Sequence, residues 1–230
     1  MYNISLTEKY ALCMLKEVKH FKHQDFIINL AMLMMLEMAK EGCLRFIDYN
    51  KGKAIKNTAK IKVELTDITP MSEYNHVLYN MIKAKSKSKT SISVFEIITK
   101  NEMEIDLKNL TPVISALKKS MRTNGLIDIT KEKALIGTKE KITINKEAFT
   151  SIMTEIRKAL LNDEPLEENM MALASFFKYS HLLKAFFLKY EKDILKRRKS
   201  EIKASKEYRV ATMGYDIYNT VNTNIMIIMS

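Results

Sequence analysis

Gln24-Asp-Phe-Ile-Ile-Asn-Leu-Ala-Met-Leu-Met-Met-Leu-Glu-Met-Ala-Lys-Glu41 runs directly into Gly42-Cys-Leu-Arg-Phe-Ile-Asp48, and the join between the two decides the fold class. The first segment holds no Gly or Pro and is apolar almost all round, through Phe26, Ile28, Leu30, Leu33, Met35 and Met38. That pattern predicts a helix over 24–41, and a helix with no polar face belongs in the centre of a bundle. Gly42 suits the left-handed residue that ends a helix. Residues 43–48 alternate as a strand does, Asn50-Lys51-Gly52 reads as a turn, and Lys60 to Leu65 alternates again and can pair back.

Outward from this core the helical periodicity continues. Leu6 to Lys19 is amphipathic, with Leu12, Leu15 and Val18 on one side. Thr69-Pro70 reads as the cap and first residue of a further helix. Lys83 to Lys89 reads as a solvated linker or loop, and Ser91 to Lys100 as a short helix or strand. Leu107 to Thr123 is helical and stops at Asn124-Gly125. Leu126 to Ile129, a turn at Lys131-Glu132-Lys133 and Ala134 to Ile136 then read as a hairpin. Lys146 to Leu161 is helical, Leu166 to about Tyr190 continues as one helix, residues 190–208 are strongly charged, and Tyr215 to Met229 closes the chain as an apolar helix. No composition break divides these segments. The expected fold is mainly α: a single helical-bundle domain over 1–230, with an apolar central helix and two small β-hairpins. Helix, Gly, strand, turn, strand occurs twice, at Gly42 and at Gly125, which is the local order of a winged-helix module.

Of the 230 residues 47% are apolar and 28% charged, with five Gly and three Pro, which excludes a disordered or collagen-like chain. Lys and Arg exceed Asp and Glu by 38 to 27, a formal charge of +11, and point to phosphate-rich partners such as nucleic acid or an anionic membrane face. Cys13 and Cys43 are too few for a disulfide framework and fit a reducing compartment. The most apolar run, Phe26 to Leu36, falls short of the roughly 20 residues of a membrane span. A soluble, cytoplasmic protein is expected.

Sites of chemistry are scarce. His20 and His23, with Asp25 nearby, have a spacing that metal sites use, but they fall between helices with no second cluster, so no metal is expected. Cys13 sits among Leu12, Met14 and Leu15 and reads as a core thiol. Asp163, Glu164, Glu167 and Glu168 read as acids in a helix's first turn, where they complement its dipole. The Met residues at 32–38 and 170–171 read as core filling, and Lys196-Arg-Arg-Lys199 as a solvated face. No phosphate loop and no GxSxG or HExxH motif occurs. No enzyme activity, catalytic residue or cofactor is expected. The most specific feature is the hairpin: Lys131 and Lys133 lead into Leu135 and Ile136, basic residues beside an apolar tip, as a shallow membrane anchor requires. The same two apolar residues could instead pack inward or against another subunit.

The order of segments resembles the Golgi phosphoprotein 3 family, in a bacterial-type form. Leu6-Thr7 with Leu12-Cys-Met-Leu15 is similar to its opening helix. Asn29 to Phe46, an apolar helix running through Glu37-Met-Ala and Gly42 into a strand, is similar to its most recognisable stretch. Leu117 to Ile127, Met170-Met-Ala-Leu-Ala, Leu182-Leu-Lys-Ala-Phe-Phe187 and Lys196-Arg197 follow the rest. The resemblance implies a non-enzymatic protein, cytoplasmic and peripherally membrane-associated, whose hairpin serves membrane contact and homo-oligomerisation. It also implies binding of phosphatidylinositol 4-phosphate or other anionic lipid headgroups. The family's pocket of one Trp and three Arg falls here near Lys22, Ala31, Thr111 and Ile114, so Lys22 alone could meet a phosphate. The expected lipid-binding residues are Lys22, Lys131, Lys133, Leu135 and Ile136. The second reading is a winged-helix-like nucleic-acid-binding regulator using Lys118, Lys119 and Arg122, and the third an oligomeric scaffold joined through the 126–136 hairpin. The sequence names no protein partner.

Overall fold

The structure, a computed structural model, describes residues 4–47, 61–87, 89–101, 104–133 and 138–229. Helix makes up most of the described residues, so the fold is mainly α. In chain order the elements are α1 (Leu6–Val18), α2 (Gln24–Lys40), β1 (Leu44–Ile47), β2 (Lys62–Leu65), α3 (Glu73–Ser86), β3 (Ile92–Ser93), α4 (Val94–Ile98), β4 (Thr99–Asn101), β5 (Glu104–Ile105) and α5 (Leu107–Thr123). There follow β6 (Ile127–Lys133), β7 (Thr138–Ile144), α6 (Lys146–Leu161), α7 (Glu168–Tyr179), α8 (Leu182–Phe186), α9 (Lys189–Arg197), α10 (Lys199–Ala204) and α11 (Lys206–Met229). None of the described helices is long and apolar enough to cross a membrane. The residues group into two compact units, 1–23 with 118–209 and 24–117 with 210–230.

In the second unit α2 is buried on every side, as its composition requires, with Phe26, Ile28, Leu30, Met32, Leu33, Met34 and Met35 inaccessible to solvent. Gly42 follows at φ +78°, a conformation that favours Gly, and the chain turns into β1. β1 pairs antiparallel with β2, Leu44 opposite Leu65 and Ile47 opposite Lys62. β3 adds a third strand beside β2. The segment read as a short helix or strand is both, since β3, α4 and β4 follow one another within Ser91–Asn101. Helix α11 approaches α2 closely at Gly214, where a Cβ would meet the Asn29 Oδ1 at 3.0 Å and the Met32 Cγ at 3.2 Å.

Two expectations in this unit are corrected. Ser72, not Thr69, caps α3: its hydroxyl accepts from the Asn75 N–H at 3.4 Å, while 69–70 stay outside the helix. The Lys-rich run is not a solvated linker over its first half, because α3 continues to Ser86. The cause is Lys85. Its ammonium donates to the carbonyls of Glu96 and Ile97 at 2.9 Å and lies 2.6 Å from the Asp106 carboxylate, whose side chain is 7% exposed. One side chain thereby satisfies the end of α4 and a buried anion.

The first unit packs α1 against α6, α7 and α8. The Tyr10 ring meets Phe176 edge-on at 5.9 Å, and the Cys13 thiol lies 3.7 Å from the Met153 sulfur. The single helix expected over 166–190 is broken. Ser180 bonds the Tyr10 hydroxyl and donates to the Phe176 carbonyl, and His181 takes φ +59°, so α7 ends and α8 begins. Lys196–Lys199 is not simply a solvated face. Arg198 is buried, donating to the Asn162 side chain at 2.9 Å and the Glu164 carbonyl at 2.7 Å, and pairing with Glu201 at 3.1 Å. Of the four acids read as first-turn charges, only Glu168 lies inside α7 at its start, and its carboxylate pairs with Lys206 at 2.7 Å. Glu167 is the N-cap without a side-chain bond, and Asp163 and Glu164 precede the helix.

Burial pushes the Asp106 carboxyl up, but bonds from Lys85 and Asn109 outweigh this and hold it below its ordinary value of 3.8. A depressed folded value contributes stability above that pH and loses it as acid protonates the group. Replacing Lys85 by Met strands a buried anion, and we expect a loss of about 3 kcal/mol in urea unfolding at pH 7. The same variant should lose much of the wild-type decline in stability between pH 4 and pH 2, which a series of melts across that range would measure.

Candidate anionic-surface interface

The candidate site lies in the first unit and begins with a buried acid. Glu8, 2% exposed, sits in the first turn of α1, where its carboxylate accepts from the Ser5 N–H at 3.1 Å and completes a capping box. The other oxygen accepts from the Ser120 hydroxyl and the Asn124 amide, both at 2.8 Å. The start of α1 and the end of α5 are thus held together. Gly125 then takes φ +65°, and the Leu126 N–H bonds back to the Met121 carbonyl at 2.9 Å. Asn145 closes the far side: its N–H donates to the Leu126 carbonyl, its amide to the Gly125 carbonyl, and its Oδ1 caps α6. The base of the hairpin is pinned to three helices through backbone and amide groups.

From this base β6 and β7 pair without interruption from Ile127–Ile144 to Lys133–Thr138. The expectation of a turn at Lys131–Lys133 is corrected. These three residues are strand, because Lys131 stands opposite Glu140 and Glu132 opposite Lys139, cross-strand pairs of opposite charge that favour the ladder. The segment joining the strands falls at 134–137, so Leu135 and Ile136 lie outside the described residues. Alternation puts Ile127, Ile129 and Lys131 with their partners Ile144, Ile142 and Glu140 on one face. Asp128, Thr130 and Glu132 share the other face with Thr143, Lys141 and Lys139.

Positive side chains gather around Glu140. Lys118, from the last turns of α5, lies 2.6 Å from its carboxylate and 5.5 Å above the buried Phe21 ring. That bond first, helped by the charges of Lys118, Lys131 and Lys22, holds the Glu140 carboxyl below the usual glutamate value. Lys22 therefore lies close to the hairpin although it is more than a hundred positions away in the chain. His20, its ring stacked on His23 at 4.8 Å, is made less basic by partial desolvation and then by His23, Lys22 and Lys139. Among the described residues Lys22, Lys131, Lys133 and Lys139 form no ion pair, and all four are exposed. Glu132 is held by Lys141 at 2.6 Å. Both nearby carboxylates of the hairpin are thus neutralised by other lysines, and the four remaining cations stand as surplus.

The other positions singled out in the sequence take simpler places. Ala31 and Ile114 are buried, and the exposed Thr111 donates its hydroxyl to the Leu107 carbonyl at 2.7 Å. Burial raises the Cys13 thiol far above its ordinary value, and burial followed by Glu41 raises Cys43. No group of three His, Cys, Asp or Glu among the described residues could hold a metal ion. The sequence reading missed Lys139 and Asn145. The signal for Asn145 was an Asn one position before the helical periodicity of α6; the signal for Lys139 required knowing that the strands extend past Ile136. No protein-family model matches this chain, and no curated protein matches it.

The convergence on His20 has a direct check. In a proton NMR titration His20 should titrate below the ordinary histidine value. Lys22→Gln with Lys139→Gln should move it upward while the circular dichroism spectrum stays unchanged. A His20 titration unmoved by that pair of substitutions would separate Lys22 from the hairpin.

Proposed function

We propose that the chain is a non-enzymatic peripheral membrane protein that meets anionic lipid headgroups with the β6–β7 hairpin and the residues after α1. The observation that supports this reading is the surplus of Lys22, Lys131, Lys133 and Lys139, exposed and without ion pairs among the described residues, around carboxylates already neutralised. Each such lysine near an anionic surface contributes about 1 kcal/mol, so the four together give weak, reversible binding. Leu135 and Ile136, between the strands, supply the shallow insertion in this proposal; burying such a side chain contributes about 1.5–3 kcal/mol. Only Lys22 of the four positions aligned with the family's headgroup pocket carries a cation, which favours recognition of charge over recognition of one inositol phosphate.

The order of α5, Gly125 and the hairpin keeps a nucleic-acid reading as the comparison. Lys118 is tied to Glu140, and Arg122 lies 3.9 Å from Asp128, so two of the three cations of that face already stand beside a carboxylate. Assembly through the same hairpin is the third possibility, read out by solution mass.

Co-sedimentation tests all three. Vesicles containing phosphatidylglycerol should pull the protein down at low salt and neutral vesicles should not. Binding should fall steeply towards 1 M salt, where the Debye length shrinks from about 10 Å to about 3 Å. Lys131→Glu with Lys133→Glu should remove most binding, and Leu135→Ser with Ile136→Ser should remove what persists at high salt. Phosphatidylinositol 4-phosphate should show no advantage at matched charge. Duplex DNA binding without vesicle binding would replace the membrane reading, and a lower solution mass in the Leu135→Ser, Ile136→Ser variant would assign the hairpin to assembly.

A further inference from the structure

Helices α7, α8, α9 and α10 enclose a groove of about 210 Å³, larger than the roughly 150 Å³ cavity that accepts a benzene ring. Its floor is Ala174, Leu183, Leu195 and Ile202, and its lining is almost wholly carbon. Around the opening stand Lys178, Lys184, Lys192, Lys196 and Lys199. On α9 the arrangement follows from helical spacing, because residues 192, 195 and 196 lie three and four apart along one face, and Lys199 opens α10 just beyond them. Their aliphatic stems complete the walls, and the ammonium groups reach outward.

The charge around this groove is unbalanced. Every acid on α9 and α10 is already engaged: Glu191 with Arg157, Asp193 with Lys196 at 2.6 Å, and Glu201 with Arg198 at 3.1 Å. Lys178 donates to the Tyr208 hydroxyl at 2.8 Å. Lys184, Lys192 and Lys199 form no ion pair among the described residues. An apolar floor beneath three uncompensated cations matches one ligand chemistry, a single alkyl chain ending in an anion.

We propose that this groove binds a free fatty carboxylate, its chain on Leu183, Leu195 and Ile202 and its carboxylate among Lys184, Lys192 and Lys199. The site is distinct from the hairpin surface and does not depend on it. Calorimetric titration of the full chain with decanoate tests it. One saturable site per chain is expected, with affinity falling about fourfold for each methylene removed from the chain. Decanol, which keeps the chain and loses the charge, should bind about tenfold more weakly or worse. Lys192→Glu with Lys199→Glu should weaken decanoate about tenfold with helical content preserved. Lys131→Glu with Lys133→Glu should leave decanoate binding intact, so that failure of the groove and failure of the hairpin reading are told apart. Equal affinity for decanol and decanoate, the absence of saturable heat, or loss of binding in the hairpin variant alone would each overturn the proposal. Displacement of decanoate by an acidic peptide lacking an alkyl chain, at comparable concentration, would overturn it as well and mark the groove as a peptide site.

Discussion

The first unit depends on one buried carboxylate. Glu8 is shielded from water and forms no ion pair among the described residues, and a buried carboxylate is tolerated only when its oxygens find donors. The donors here are the Ser5 N–H, the Ser120 hydroxyl and the Asn124 amide. Because two of them lie in the last turn of α5 and beyond it, desolvating Glu8 fixes where that helix ends relative to α1. Gly125 and Leu126 follow within two residues, so the direction in which β6 departs is set by the same bonds. The lysines of the hairpin therefore reach a defined place, beside Lys22 and His20, by a chain of hydrogen bonds that begins in the interior.

Charge in this unit follows a consistent division. Two exposed carboxylates of the hairpin are each held by one cation, Glu140 by Lys118 and Glu132 by Lys141, while the buried Glu191 is held by Arg157. Exposed pairs of this kind contribute little stability, typically under about 1 kcal/mol. Their larger effect is on what remains. A chain with eleven more basic than acidic residues has cations left over once its acids are paired. The hairpin and the α7–α10 groove are two places where that remainder collects. They differ in what lies beneath the charge, cross-strand polar residues in one and a carbon floor in the other.

The parts of the fold that depend on local periodicity were legible in the sequence. Helices α1, α2, α5 and α6, the strands β1 and β2, and the glycines that end α2 and α5 all follow from spacing, caps and turn residues. What escaped depends on partners distant in the chain. Lys85 looks like one more solvated lysine until Asp106 and the end of α4 are folded against it. Arg198 looks like part of a basic run until the Asn162 and Glu164 carbonyls are placed beside it. The break after Tyr179 rests on a Ser180 to Tyr10 contact across most of the chain. The hairpin's length was misread for another reason: alternating charged residues look like a turn to a hydrophobic count, whereas opposite charges across a ladder stabilise a strand. At the candidate interface Lys131 and Lys133 were legible from local sequence, and Lys22 came only through the family resemblance. Lys139 became visible once the register of β7 was known.

The division of labour between the two basic residue types explains how the surplus comes to be at the surface. Arginine is scarce, with six against 32 lysines, and its planar fork suits fixed acceptors. In the first unit Arg157 spends that fork on the Phe186 carbonyl and Glu191, and Arg198 on Asn162, Glu164 and Glu201. Both serve the packing of α6, α9 and the loop before α7 and are withdrawn from recognition. Lysine has the opposite properties, a long apolar stem and a strongly hydrated point charge without directional demands. It can line an apolar groove with its stem, or stand on a strand and face water, without requiring a matched partner. An anion met by such residues is read by its charge and by the apolar matter attached to it, and hardly at all by the geometry of its oxygens.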